Sequence, residues 1–222
     1  MQYSLALDIY GTIVNTSGIY ASVQNIIGEK AADFVELWRS KQLEYSFRRS
    51  AMGIYADFSV CTREALEFCC IKFNAPLSSL QKEQLMENYQ KLPVFPDAET
   101  GISRARKAGH TIFAFSNGSS KAICALLEAN RISGLFDGII SVEETRKFKP
   151  SPAVYSYFLK QANAKKGSTC LVSSNPFDII GAAVFGMRTI WVRRNEESVF
   201  DPWGITPDCT IGGLNELAAV LR

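Results

Sequence analysis

Short apolar runs recur along the chain, and most give way to a loop and then a helical pattern. Tyr3-Ser4-Leu5-Ala6-Leu7 leads into Asp8, Thr111-Ile112-Phe113-Ala114-Phe115 into Ser116-Asn117-Gly118, and Thr169-Cys170-Leu171-Val172 into Ser173. Gly138-Ile139-Ile140-Ser141 and Thr189-Ile190-Trp191-Val192 complete the series. Helical spacing fills intervals at 121–129, 153–162 and 177–185, and Ser151-Pro152 predicts a helix start with serine as N-cap and proline at the first helical position. Buried strands alternating with helices predict an α/β fold, a Rossmann-like parallel sheet covered on both faces.

One region breaks this rhythm. Between about residues 15 and 90 the pattern is helical, at 31–49, 62–73 and 80–92, with no strand of the same kind. The simplest reading is a helical cap, 15–90, inserted after the first strand into a core of 1–14 and 91–222. Such a cap sits over the carboxyl ends of the strands, where open α/β sheets bind ligands.

Composition narrows the chemistry. The 222 residues carry 24 basic and 22 acidic side chains, which gives no global argument for nucleic acid. No apolar run approaches the ~20 residues that span a bilayer, and the opening MQYSLALDIYGT meets Asp8 before a leader-like region develops. The six cysteines show no CxxC spacing and read as reduced thiols of a cytoplasmic protein. The single histidine, His110, precedes an apolar run and reads as structural, which removes Ser-His-Asp and Cys-His hydrolases from consideration. A metal site of two or three histidines is excluded by count.

The polar residues at the strand ends carry the candidate chemistry. In Asp8-Ile9-Tyr10-Gly11-Thr12 a carboxylate ends a buried strand before a glycine turn, with Thr12 placed to bond the carboxylate or the turn. Ser116-Asn117-Gly118-Ser119 offers a hydroxyl and backbone amides for an anion, or simply caps a helix. Lys149 enters the helix that follows Pro150 and Ser151, or is a solvated charge. Ser173-Ser174-Asn175-Pro176-Phe177-Asp178 places an acid where it orients Lys149 or activates water, or again caps a helix.

Taken in order, Asp, Ser, Lys and Asp on successive elements match the haloacid dehalogenase superfamily, and the sequence resembles its L-2-haloacid dehalogenases. The resemblance covers nearly the whole chain. It includes Leu37-Trp38-Arg39-Ser40-Lys41-Gln42-Leu43-Glu44-Tyr45, similar to the family's arginine-bearing cap helix, together with Lys149-Pro150, Tyr155 and Val172-Ser173-Ser174-Asn175. Phosphatases of the superfamily carry an acid two residues after the nucleophile and a magnesium-binding acid after the fourth strand. Here those positions are Tyr10 and Ser174.

The resemblance implies hydrolysis of short 2-haloalkanoic acids, L enantiomer preferred, through an ester on Asp8, with no cofactor and no metal. It implies that Arg39 and Asn117 stabilise departing halide beside an aromatic wall from Phe58 or Phe177, with Arg48 and Arg49 as rival arginines. Ser116 would hold the substrate carboxylate. Lys149, oriented by Asp178 or Tyr155, would keep Asp8 ionised, and Ser173, Asn175 and Asp178 would position water. Tyr10 and Leu43 are candidate walls around the alkyl group. The expected partners are a small haloacid and halide, with no nucleic acid or membrane, and the resemblance suggests a homodimer. A magnesium-dependent phosphatase and a non-catalytic binding protein on the same fold are the alternatives.

Overall fold

The computed structural model describes residues 2–221. A six-stranded parallel sheet forms its centre, with strands β1 Ser4–Asp8, β2 Thr111–Ser116, β3 Gly138–Ser141, β4 Thr169–Ser173, β5 Arg188–Val192 and β6 Cys209–Ile211. The helices are α1 Tyr20–Ile27, α2 Ala31–Met52, α3 Phe58–Lys72, α4 Ser79–Tyr89, α5 Ala98–Lys107, α6 Ser120–Ala129, α7 Pro152–Gln161, α8 Pro176–Phe185 and α9 Leu217–Val220. The parallel α/β architecture is as the sequence predicts, and α1 to α4 all fall between β1 and β2.

Strand order is β3-β2-β1-β4-β5-β6. The chain leaves β1 for β2 on one side, then returns past β1 to lay down β4 on the other. The crevice at the carboxyl ends of β1 and β4 is therefore the switch point at which doubly wound sheets bind ligands. Register pairs Leu7 with Val172 and Asp8 with Phe115, so Asp8, Ser116 and Ser173 emerge side by side at one edge. Leu5, Ala6 and Leu7 of β1, and Cys170, Leu171 and Val172 of β4, are wholly buried, as strands covered on both faces require.

Several details differ from expectation. No helix or strand is individually expected from the sequence at α1, α5, α9 or β6. β6 is a three-residue edge strand, too short to show a period. Ser151 occupies the N-cap of α7, with Pro152 next, but its side chain caps nothing. His110, by contrast, is structural as expected: its Nδ1 accepts from the Tyr3 backbone N–H at 3.1 Å. Burial pushes its imidazole below the usual histidine range.

Candidate active site

Three donors converge on one oxygen of Asp8. The Thr12 hydroxyl donates to Oδ2 at 2.8 Å, the Ser173 hydroxyl at 3.0 Å and the Asn175 amide at 2.7 Å. The other oxygen, Oδ1, accepts only from Lys149 Nζ among the described residues, at 3.1 Å. Asn175 stands at the N-cap position of α8 but does not cap it. Its amide is given to Asp8 and to the Tyr10 carbonyl, at 3.1 Å, instead.

Lys149 is 1% exposed. Its three N–H bonds are all committed: to Asp8 Oδ1, to Asp178 Oδ2 at 2.8 Å and to the Phe115 carbonyl at 2.9 Å. Asp178 in turn takes the Tyr155 hydroxyl on Oδ1 at 2.9 Å. The result is a buried chain, Tyr155 to Asp178 to Lys149 to Asp8, in which a cation lies between two carboxylates. Burial raises the Asp178 carboxyl to about 6 against the opposing pull of Lys149. Burial alone would lower the Lys149 ammonium, but Asp178 and Asp8 more than reverse it and the net direction is up. Tyr155 is pushed well above the usual phenol range, first by burial and then by Asp178, so it stays a donor.

Ser174 is drawn into the turn: its hydroxyl donates to the Gly11 carbonyl at 2.7 Å and its N–H to Thr12 Oγ1 at 2.8 Å. Gly11 has a φ of +89° and a side chain there would sit 3.3 Å from Ser174 Oγ, so turn and loop are fitted to each other. No group of three or more His, Cys, Asp or Glu side chains with metal-binding geometry occurs among the described residues. With an ammonium 3.1 Å from Asp8 and both oxygens of Asp178 occupied, these residues do not fit a divalent cation.

The three rival arginines have different surroundings. Arg39 Nη2 donates to the Tyr10 carbonyl at 3.2 Å, two residues past Asp8. Arg48 pairs with Glu44 at the surface, and Arg49 is held by both oxygens of Glu64, at 2.6 and 2.8 Å. Tyr10 packs beside Phe58 and Tyr89, each ring 6.0 Å away, and these side chains with Thr62, Met86 and Gly118 line a small cavity of about 50 Å³. Burial pushes the Tyr10 phenol upward, so it remains neutral. Leu43 is half-buried on α2 and is not part of that lining. Phe177 meets Phe47 of α2 edge-on, with centroids 4.9 Å apart, and the two line a different cavity. Asn117 Oδ1 accepts the Lys149 backbone N–H at 2.9 Å, and Ser116 Oγ accepts from Gly118 N–H at 3.1 Å.

Comparison with known proteins places the chain in a family. Residues 4–186 match the model of the haloacid dehalogenase-like hydrolases. The chain belongs to that family. This dehalogenase-like hydrolase is 35% identical to (S)-2-haloacid dehalogenase 1 of Pseudomonas sp. strain CBS-3, over 84% of this chain and 82% of that protein. It is 32% identical to haloacetate dehalogenase H-2 of Moraxella sp. strain B, over 94% of this chain and 92% of that one. Its fold superposes on the L-2-haloacid dehalogenase of Xanthobacter autotrophicus with a TM-score of 0.91 at 27% identity, covering 100% and 99% of the two chains. A structure of that enzyme with chloropropionic acid covalently bound matches equally, with a TM-score of 0.91.

Residues that sequence reading missed are the ones reached only through packing. Gln42, Thr62 and Tyr89, on α2, α3 and α4, form a hydrogen-bonded group that reaches Arg39 through Gln42. Arg194 donates to the Thr12 carbonyl and grips Asp97 at 2.7 and 2.8 Å, pinning the Asp8 turn from behind. No spacing in the sequence links these positions.

The buried cation sets an expectation for stability. The folded Asp178 carboxyl titrates above its unfolded value, so its contribution to stability is fully present below that value and is lost as pH rises through about 6. Removing its counter-charge raises the folded value further. Lys149→Met is therefore expected to lose roughly 3–5 kcal/mol near neutral pH, and markedly less near pH 5. Urea denaturation at the two pH values checks this, and a loss of equal size at both would contradict it.

Proposed function

We propose that this hydrolase displaces halide from short 2-haloalkanoic acids through an ester on Asp8, releasing the 2-hydroxy acid with inversion. The observation that carries this reading is the asymmetry of the Asp8 carboxylate: three donors on Oδ2, one on Oδ1. Oδ1 keeps lone pairs for attack on carbon, with the Lys149 ammonium beside it at 3.1 Å as counter-charge. Attack from the side opposite the halogen forms the Oδ1–carbon bond as the carbon–halogen bond breaks, which inverts the carbon.

Oδ2 then becomes the carbonyl oxygen of the ester. When water adds to its carbon, negative charge develops on Oδ2, where Thr12, Ser173 and Asn175 already point their hydrogens. Collapse of that adduct expels Oδ1 with the substrate carbon as the product alkoxide. Lys149, within hydrogen-bond reach of Oδ1, gives it a proton and is recharged from the added water. Asp178 and Tyr155 act through Lys149 in this scheme, holding it and keeping it charged.

Arg39 has N–H donors beyond those on Gln42 and Tyr10, and with Asn117 it receives the halide; a guanidinium stays charged throughout. Ser116 and the amides after it take the substrate carboxylate. Tyr10 and Phe58 form the apolar wall, with Leu43 and Phe177 at the margins of the crevice. Halide is a weak base and needs no proton, so Tyr10 suffices where a phosphatase needs an acid. Ser174, closed into the Gly11 turn, supports a reaction without metal.

The α1 to α4 region reads as a cap, 15–90, over a core of 1–14 and 91–222. Apolar side chains stand exposed on it: Ile71 at 81%, Met52 at 60% and Ile54 at 53%, around a concavity of about 510 Å³ that also includes Tyr45 and Phe68. A second copy of the chain is the proposed cover, because an apolar face of this kind on a surface marks association. The six cysteines are free thiols, which suits the reducing cytoplasm.

Halide release is expected from L-2-chloropropionate, far faster than from the D enantiomer, and unchanged after exhaustive chelation. Activity on a phosphoester that vanishes with chelator and returns with magnesium, without halide release, would overturn the assignment. Sedimentation is expected to give a dimer that Ile71→Glu splits into active monomers; a monomeric wild type would contradict the proposed interface.

A further inference from the structure

Gln42 lies one turn along α2 from Arg39 and is completely buried. Its oxygen accepts from Arg39 Nη1 at 2.6 Å and from the Tyr89 hydroxyl at 3.0 Å. Its nitrogen donates to Thr62 Oγ1 at 2.5 Å, and Thr62 passes its own hydrogen to the Phe58 carbonyl at 2.9 Å. This sequence of donors fixes the amide orientation: a guanidinium only donates, so the atom facing it must be oxygen. Trp38 closes the arrangement, its indole N–H on the Thr62 carbonyl at 2.8 Å and its ring 5.4 Å from that of Tyr89. Helices α2, α3 and α4 all contribute to the polar network.

Arg39 is thus held at two points, one on the helical insertion and one, the Tyr10 carbonyl, on the turn that carries Asp8. A long side chain held at one point samples several rotamers, whereas donors that stabilise a developing charge work best when already in place. The chemistry of the holder matters as well. A glutamate in place of Gln42 would grip the guanidinium more strongly but cancel the charge a departing anion needs. A neutral amide anchors the cation and leaves its field intact. Tyr89 fills the second acceptor site of that amide oxygen, and its ring lies against Tyr10, 6.0 Å between centroids.

We infer that Gln42 and Tyr89 are positioning residues that fix Arg39 for halide departure. This rests on the proposed role of Arg39 at the halide. Chloride takes a stronger hydrogen bond than iodide and leaves less readily, so a misplaced Arg39 should slow release of chloride more than release of iodide. A purely structural loss would slow both alike.

The test measures halide release in a single turnover from L-2-chloropropionate and L-2-iodopropionate, for Arg39→Ala, Gln42→Met, Tyr89→Phe and the double variant Arg39→Ala/Gln42→Met. Gln42→Met is expected to widen the chloride-to-iodide rate gap by roughly tenfold, since misplacement of about an ångström has effects of that order or larger. Tyr89→Phe, which keeps the ring and the fold, widens it in the same direction by less. The double variant is expected to be no slower than Arg39→Ala alone, because both changes disable one device. Equal slowing on both halides, or additive losses in the double variant, overturns the inference while Arg39→Ala still widens the gap. An unchanged gap in Arg39→Ala overturns the halide role itself and the inference with it. If Gln42→Met fails to fold, Tyr89→Phe alone decides: an unchanged gap there refutes the bracket.

Discussion

A single ammonium group buried between two carboxylates organises this molecule. Lys149 has no solvent to share, so its charge is tolerable only because Asp8 and Asp178 flank it and the Phe115 carbonyl takes its third hydrogen. The same requirement works in reverse: neither carboxylate suits its depth without the lysine. The constraint ties together β1, the end of β2, the segment before α7 and the first turn of α8. The ends of four elements are held in register by one group, and the nucleophile candidate lies at its tip.

The helical insertion adds the other half of the site. The core supplies the Asp8 carboxylate and a set of donors on its Oδ2. Its buried cation, Lys149, has all three hydrogens committed. A further cation comes from α2, where Arg39 bridges to the Tyr10 carbonyl. Division of labour follows from charge. In the proposed mechanism the lysine stabilises the starting carboxylate and later the product oxygen, while the arginine meets the anion that departs. Buried aromatic rings from Tyr10, Phe58 and Tyr89 line a small cavity on one flank of this arrangement.

Much of this was legible in the sequence because it follows the strand period. Buried parallel strands appear as apolar runs, so polar residues that end them, Asp8, Ser116 and Ser173, stand out against their own strands. Lys149 and Asp178 were legible only as members of an ordered set; nothing local distinguishes a buried lysine from a solvated one. Arg39 stood out through its neighbour Trp38, and the structure gives the physical reason: the indole is locked into the insertion, which fixes the turn of helix that carries the arginine. Gln42, Thr62 and Tyr89 escaped because a hydrogen-bond network spread over three helices leaves no trace in spacing. Arg194 and the edge strand β6 escaped for the same reason, since both acquire meaning only from what they touch.

The central claim is that Asp8 becomes covalently attached to the substrate rather than merely activating water. It can be tested by one turnover in heavy-oxygen water with enzyme in excess over L-2-chloropropionate, followed by mass spectrometry of the product and of the peptide containing Asp8. If Oδ1 attacks carbon and water later opens the ester at its carbonyl, the first hydroxy acid carries light oxygen and Asp8 acquires the heavy isotope. Heavy oxygen in that first product, with Asp8 unlabelled, would make Asp8 a general base and contradict the covalent mechanism.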